Sequence, residues 1–166
     1  MVAYKAASVS RFLRSPDPAC RAMLVYGPDA GLVSERAAAL AKTLADGLGR
    51  DAEVIRLDDR DFGDDPARLE VECRTRSMFA SGKVVRVKAG AKLDVAALKV
   101  LFSEPCDNPL IVEAGNLRPD SALRKLFEKR AEAAALPCYA DERGLSELIE
   151  TELAKSQLSI DRETKA

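Results

Sequence analysis

Gly27-Pro28-Asp29-Ala30-Gly31-Leu32-Val33-Ser34 is the stretch whose residue types come nearest to a known chemistry. It lies between an apolar run, Met23-Leu24-Val25-Tyr26, and a strongly helical stretch beginning near Leu32. A phosphate-binding P-loop, G-x-x-x-x-G-K-[ST], sits at such a strand-to-helix junction. Its small residues let backbone N–H groups wrap the phosphates, and its lysine supplies a fixed charge. Laid on that template from Gly27, the second glycine falls at Leu32 and the lysine at Val33, and only the terminal hydroxyl, Ser34, is kept. Leucine obstructs close backbone approach and valine carries no charge, so Gly27, Gly31, Leu32, Val33 and Ser34 read as a degenerate, non-functional loop. Gly-Pro-Asp-Ala-Gly is also an ordinary turn, with Pro and Asp favoured by turn geometry. The segment alone leaves both readings open.

Other chemistries are narrowed by what the chain lacks. It has no histidine, which excludes Ser-His-Asp and Cys-His catalysis and metal binding through imidazole. The four cysteines, Cys20, Cys73, Cys106 and Cys138, stand singly without a C-x-x-C pair. No metal site is expected from them, and each reads as a small core or near-surface thiol. At 166 residues with 47% hydrophobic and 32% charged residues, the composition is that of a soluble globular protein. A formal charge of −1 gives no global attraction to nucleic acid or membrane. No apolar run approaches the ~20 residues of a membrane span, and Met-Val-Ala-Tyr-Lys lacks the build of a secretory signal. The expected compartment is the cytoplasm.

The elements that must position the loop alternate between strand and helix. Ser8 to Leu13 reads as a short helix capped by Ser8. Arg21 to Tyr26 reads as a first strand. Val33, Ala37, Leu40, Leu44 and Leu48 then recur at helical spacing up to a stop at Gly49. Glu53 to Leu57 is a second strand, and Asp65-Pro66 has the form of a helix start. Lys83 to Lys88 alternates basic residues with valine as a third strand, followed by a helix from Asp94. Pro109 to Glu113 is a fourth strand. A helix from near Pro119-Asp120 buries Leu123, Leu126 and Phe127, and Ala134 to Ala140 is a fifth strand. Such alternation implies a parallel sheet with helices on both faces, a three-layer α/β domain over residues 1–141. After an Asp141-Glu142-Arg143-Gly144 hinge, residues 142–166 read as one amphipathic helix with Leu145, Leu148, Ile149 and Leu153 on one face. It either folds back on the sheet or begins a second, helical domain. The second option is favoured, because the sequence runs past Leu158 and Ile160 without a clean stop.

With these elements placed, the chain resembles the delta subunit of the bacterial DNA polymerase III clamp loader. The resemblance rests on Leu24-Val-Tyr-Gly-Pro-Asp, Arg56-Leu-Asp, Asp65-Pro-Ala-Arg-Leu, Ser77-Met-Phe-Ala-Ser-Gly-Lys-Val-Val-Arg-Val, Leu110-Ile-Val-Glu-Ala-Gly and Ser121-Ala-Leu-Arg-Lys-Leu-Phe-Glu, taken in that order. It implies an AAA+ fold for the first domain, no use of ATP, no cofactor, and a chain that stops before the family's collar domain. A second feature fits an inactive module. Walker B acids should end the third strand, yet Val84-Val85-Arg86-Val87-Lys88 ends basic and reads as a solvated edge. Asp107 and Glu113, the nearest acids, form no Asp-Glu pair at a strand end.

Ser77-Met78-Phe79 is where the residues and the resemblance diverge. By themselves, two large apolar residues in a loop bracketed by Arg74, Arg76 and Lys83 read as tucked inward, since exposed apolar pairs are uncommon. The resemblance instead implies a wedge that enters a hydrophobic pocket on the sliding clamp. Phe79 matches the family's residue, and Met78 stands for the usual leucine at similar volume. The implied function is a non-catalytic subunit that binds and opens the clamp in DNA replication. Its partners would be the clamp and the other loader subunits, with DNA contacted only through the complex and no membrane involved. Two alternatives are a P-loop ATPase with an unusual loop and a sibling loader subunit of the delta-prime kind. The sibling type carries a four-cysteine zinc module after the first helix, which is missing here between Leu48 and Arg60.

Overall fold

Short runs of valine, leucine and alanine become the strands β1 (Ala22–Tyr26), β2 (Glu53–Leu57), β3 (Lys83–Lys88), β4 (Leu110–Ala114) and β5 (Ala133–Pro137). The computed structural model that shows them describes residues 4, 6–91, 93–104 and 106–139. Between the strands lie α1 (Ala6–Arg14), α2 (Ala30–Leu48), α3 (Asp59–Asp64), α4 (Arg68–Arg74), α5 (Val95–Leu101) and α6 (Ala122–Glu128). The strands form one sheet in the order β2-β3-β4-β1-β5, and every pairing is parallel. In the centre, Leu24 lies level with Val112 on one side and Ala135 on the other.

Strand alternation sorts the side chains onto two faces. Leu24, Tyr26, Val85, Val87, Leu110 and Val112 share one core with Leu69 of α4, Leu98 of α5 and Phe127 of α6. Met23, Val25, Val84, Ile111 and Leu136 share the other with Val9 and Phe12 of α1 and with Val33, Ala37 and Leu40 of α2. The chain runs from β1 to the far edge at β2 and then returns through β3 and β4 to β5. Right-handed crossovers therefore put α2 on one face and the helices of the return path on the other. The result is a three-layer α/β domain. The outer edge at β2 carries exposed Glu53 and Arg56, and charges of this kind discourage edge-to-edge pairing. Among the described residues, no helix is long and apolar enough to cross a membrane.

Local chemistry explains where the elements match the sequence reading and where they do not. Gly49 ends α2 as expected, with φ at +134°, which side chains with a Cβ rarely adopt. Asp94 caps α5 by accepting the Ala96 N–H at 2.8 Å. Helix α1 begins at Ala6, so Ser8 is an interior residue and not its cap. Asp65-Pro66 does not open a helix. Asp65 closes α3 through its N–H to the Asp61 carbonyl, and its carboxylate accepts the Ala67 N–H at 3.0 Å, so α4 starts only at Arg68. The short helix α3 itself has no counterpart in the sequence reading. It is held by a reciprocal cap in which Asp58 accepts from Arg60 N–H and Asp61 accepts from Asp58 N–H, both at 2.8 Å. Helix α6 starts at Ala122, past Pro119-Asp120, and β5 stops at Pro137. Strand β3 is not a solvated edge. It is paired on both sides, and its Lys83 and Arg86 are buried. The helix and second domain expected over 142–166 lie outside the described residues.

Candidate functional site

The loop after β1 meets its own chain where a P-loop would meet phosphate. Cys138 N–H donates to the Tyr26 carbonyl at 2.7 Å. A Cβ on Gly27 would then lie 2.0 Å from the Cys138 carbonyl oxygen, so this glycine serves the close approach of β1 and β5. Helix α2 begins at Ala30, earlier than the Leu32 expected, because Asp29 is its N-cap. One Asp29 carboxylate oxygen accepts the Gly31 N–H at 2.8 Å and the Leu32 N–H at 3.0 Å. The first-turn amides that attract anions to helix N-termini are thus engaged by an internal carboxylate. Val33, in the lysine position of the template, is buried at 3% exposure in the core with Met23 and Val25. Leu32 packs half-buried against the same cluster.

Ser34, which matches the terminal hydroxyl of the P-loop template, is engaged as well. Arg86 Nη2 donates to both the carbonyl and the hydroxyl oxygen of Ser34, each at 2.9 Å. The same guanidinium forms an ion pair through Nε with Glu113 Oε1. Arg86 on β3 and Glu113 on β4 are both buried, and adjacent register places them on the α2 side of the sheet. Buried charges are stable only when paired and hydrogen-bonded. Here Arg86 has three acceptors from two partners.

The cluster lies at the C-terminal ends of the strands, near the point where β1 and β4 send their connections to opposite faces. Ligands of open α/β sheets favour such a position. A crevice of about 670 Å³ opens over it, lined by Glu35, Arg56, Asp58 and Lys88 beside the Arg86–Glu113 pair. An internal anion, Asp29, engages the helix amides and an internal cation, Arg86, engages the Ser34 hydroxyl. Sequence reasoning gave neither Arg86 nor Glu113 a role. The available signal was a single charge inside each of two apolar runs, Val-Val-Arg-Val and Leu-Ile-Val-Glu.

Ser77, Met78 and Phe79 stand at the opposite end of the sheet, in the loop from α4 into the start of β3. Both ends of that loop are fastened. Lys83 Nζ donates to Glu72 Oε2 at 2.8 Å and to Thr75 Oγ1 at 3.1 Å. Thr75 Oγ1 in turn donates to the Val71 carbonyl at 2.6 Å. The side-chain amide of buried Asn108 donates to the carbonyls of Glu72 and Thr75, both at 2.8 Å. At the tip, Ser77 Oγ accepts from Ala80 N–H at 3.1 Å and from Phe79 N–H at 3.4 Å, which turns the chain back. Met78 is 89% and Phe79 93% exposed, so the inward tuck expected from the residues alone is corrected. The flanking cations differ among themselves. Lys83 is buried in its network, Arg74 bridges Glu70 and Glu104, and Arg76 reaches Asp107 only at 3.5 Å.

Among the described residues, no group of three or more His, Cys, Asp or Glu side chains could hold a metal ion. The four cysteines are free thiols, three of them buried and Cys106 half-buried. Compared with known proteins, the chain matches no family model and no curated protein.

Proposed function

We propose that this chain is a non-catalytic clamp-loader subunit similar to bacterial delta, which binds a sliding clamp and opens it through Met78 and Phe79. In this reading the α/β domain is an AAA+ module that has lost its nucleotide chemistry, and residues 142–166 begin a helical second domain. The observation that carries the proposal is the exposure of Met78 and Phe79, 89% and 93%, on a loop whose base is fixed by partly buried hydrogen bonds. Folding gains nothing from that placement, whereas a partner pocket would gain ~1.5–3 kcal/mol from each buried side chain. Aromatic anchors dominate many protein interfaces. Ring opening follows if the loop binds a clamp protomer better in its open geometry than in its closed one, because affinity common to both forms shifts nothing. The other loader subunits would be reached through a collar domain and DNA through the assembled complex, in the bacterial cytoplasm.

Titration of the chain with a bacterial sliding clamp tests the proposal, since saturable binding lost in Phe79→Ala is the expected result. No binding at any clamp concentration reached would refute it.

The crevice beside Arg86 and Lys88 favours a second reading, nucleotide binding. Equilibrium titration with ATP and magnesium separates the two. The proposal expects no saturation in the micromolar range, because Asp29 and Arg86 already occupy the amides and the hydroxyl.

A further inference from the structure

Helices α5 and α6 lie side by side over the face of the sheet opposite α2, packed on one core through Leu98, Leu101, Leu123 and Phe127. Between them runs a groove of about 530 Å³, lined by Lys99 of α5, by Ala122, Lys125, Leu126 and Lys129 along α6, and by Arg130. Four of these six residues are cations and none is a carboxylate. Lys99, Lys125 and Lys129 are exposed and, among the described residues, form no ion pair. The acids closest to them in sequence are engaged elsewhere, Glu128 with Arg124 at 2.7 Å and Glu132 with Arg130 at 3.1 Å. Arg130 is fixed in the lining. Its Nη1 also donates to the Phe102 carbonyl at 2.6 Å, and its guanidinium lies 5.4 Å from the Phe102 ring centre.

Two neighbouring pairs on α6, each four residues apart, differ in sign. Arg124 and Glu128 attract, whereas Lys125 and Lys129 place like charges together, which weakens a helix. Folding does not explain that choice. In a chain of formal charge −1, the groove concentrates positive charge that has no internal counterpart.

We infer that the groove between α5 and α6 is a contact for the phosphate backbone of duplex DNA, with Lys99, Lys125 and Lys129 as its phosphate ligands. Lysine is a compact charge on a flexible stem, suited to holding phosphate without reading bases. At ~1.5 Å per residue, Lys125 and Lys129 stand about 6 Å apart along the helix axis. A DNA strand offers a phosphate every ~3.4 Å of its axis, so one strand supplies an anion to each. An acidic protein helix fits less well. The floor is Leu126, only 9% exposed, with the small Ala122 beside it, and neither leaves a pocket for a large apolar anchor. The contact belongs to the α/β domain itself and does not rest on the clamp-loader reading.

Fluorescence anisotropy of a labelled duplex of arbitrary sequence, titrated with the full chain at several salt concentrations, tests the inference. Three phosphate contacts give a slope of about −2.7 in log affinity against log salt, so affinity should fall about fortyfold between roughly 50 and 200 mM. Lys125→Ala should weaken binding to every duplex alike and make the slope shallower by about one. Lys125→Ala/Lys129→Ala should bring it to about −1, and Lys42→Ala, on α2, should change nothing. Thermal melts show whether each variant is folded, and the Lys→Gln versions serve should an alanine variant melt early. No binding at the lowest salt, or a slope unmoved by the folded double variant, would overturn the inference. So would poly-glutamate binding as tightly as the duplex, which would assign the groove to an acidic protein segment.

Discussion

At the C-terminal ends of the strands the chain buries an arginine and a glutamate, whereas at the start of β3 it holds a methionine and a phenylalanine in solvent. Each arrangement is unfavourable taken alone. The first is stable because its groups satisfy one another: Arg86 with Glu113 and Ser34, and the helix amides with Asp29. The second has a base satisfied by Lys83, Thr75 and Asn108, but the side chains at its apolar tip stay almost wholly in solvent. A partner gains little where every group already has a neighbour and most where a large apolar surface has none. The charged cluster is thus satisfied internally, whereas the loop tip keeps a large apolar surface in solvent.

The largest expected effect comes from breaking the charged cluster. Glu113→Ala strands a buried guanidinium and should lower stability by ~3–5 kcal/mol in urea unfolding. The double variant Arg86→Met/Glu113→Leu removes both charges with apolar side chains of similar size and should recover most of that loss. A single variant no worse than the double one would show that the pair is not what stabilises this end of the sheet.

Asn108→Ala should come next, costing ~1–3 kcal/mol, because the carbonyls of Glu72 and Thr75 lose their buried donors. It should also weaken clamp binding, since the loop base is no longer held. If binding is unchanged while stability falls, the loop does not need its fixed base and the comparison loses half its content. Met78→Leu should be the mildest, with stability within about 0.5 kcal/mol of the parent and clamp affinity equal or slightly higher. Calorimetry and clamp titration on one preparation check both values.

Much of this fold was legible in the sequence, because the strands are short apolar runs and α2 has a clear helical period from Val33 to Leu48. What escaped was set by tertiary context or by caps of unusual form. Helix α3 is short, carries one large buried apolar side chain, Phe62, and owes its start to a pair of aspartates. Asp65-Pro66 looks like a helix start, yet the same residues also terminate α3. Lys83 to Lys88 alternates like a half-exposed strand, but partner strands on both sides, with Glu72 paired to Lys83 and buried Glu113 to Arg86, place it in the sheet interior. The departure of Leu32 and Val33 from the P-loop template was legible in the sequence. That Arg86 meets Ser34 was not legible, because the two lie 52 residues apart in sequence, beyond any local motif. Exposure of Met78 and Phe79 could not be read from residue type, which favours burial for both.

Phe79→Ala tests the central claim most directly, through a thermal melt and a clamp titration on the same purified protein. The account predicts an unchanged melt, because a 93% exposed side chain contributes almost nothing to the core. Clamp affinity should fall by at least about thirtyfold, the equivalent of ~2 kcal/mol for a buried interface anchor. A melt destabilised by ~3–5 kcal/mol, the cost of deleting a buried phenylalanine, or a clamp affinity equal to that of the parent would contradict it.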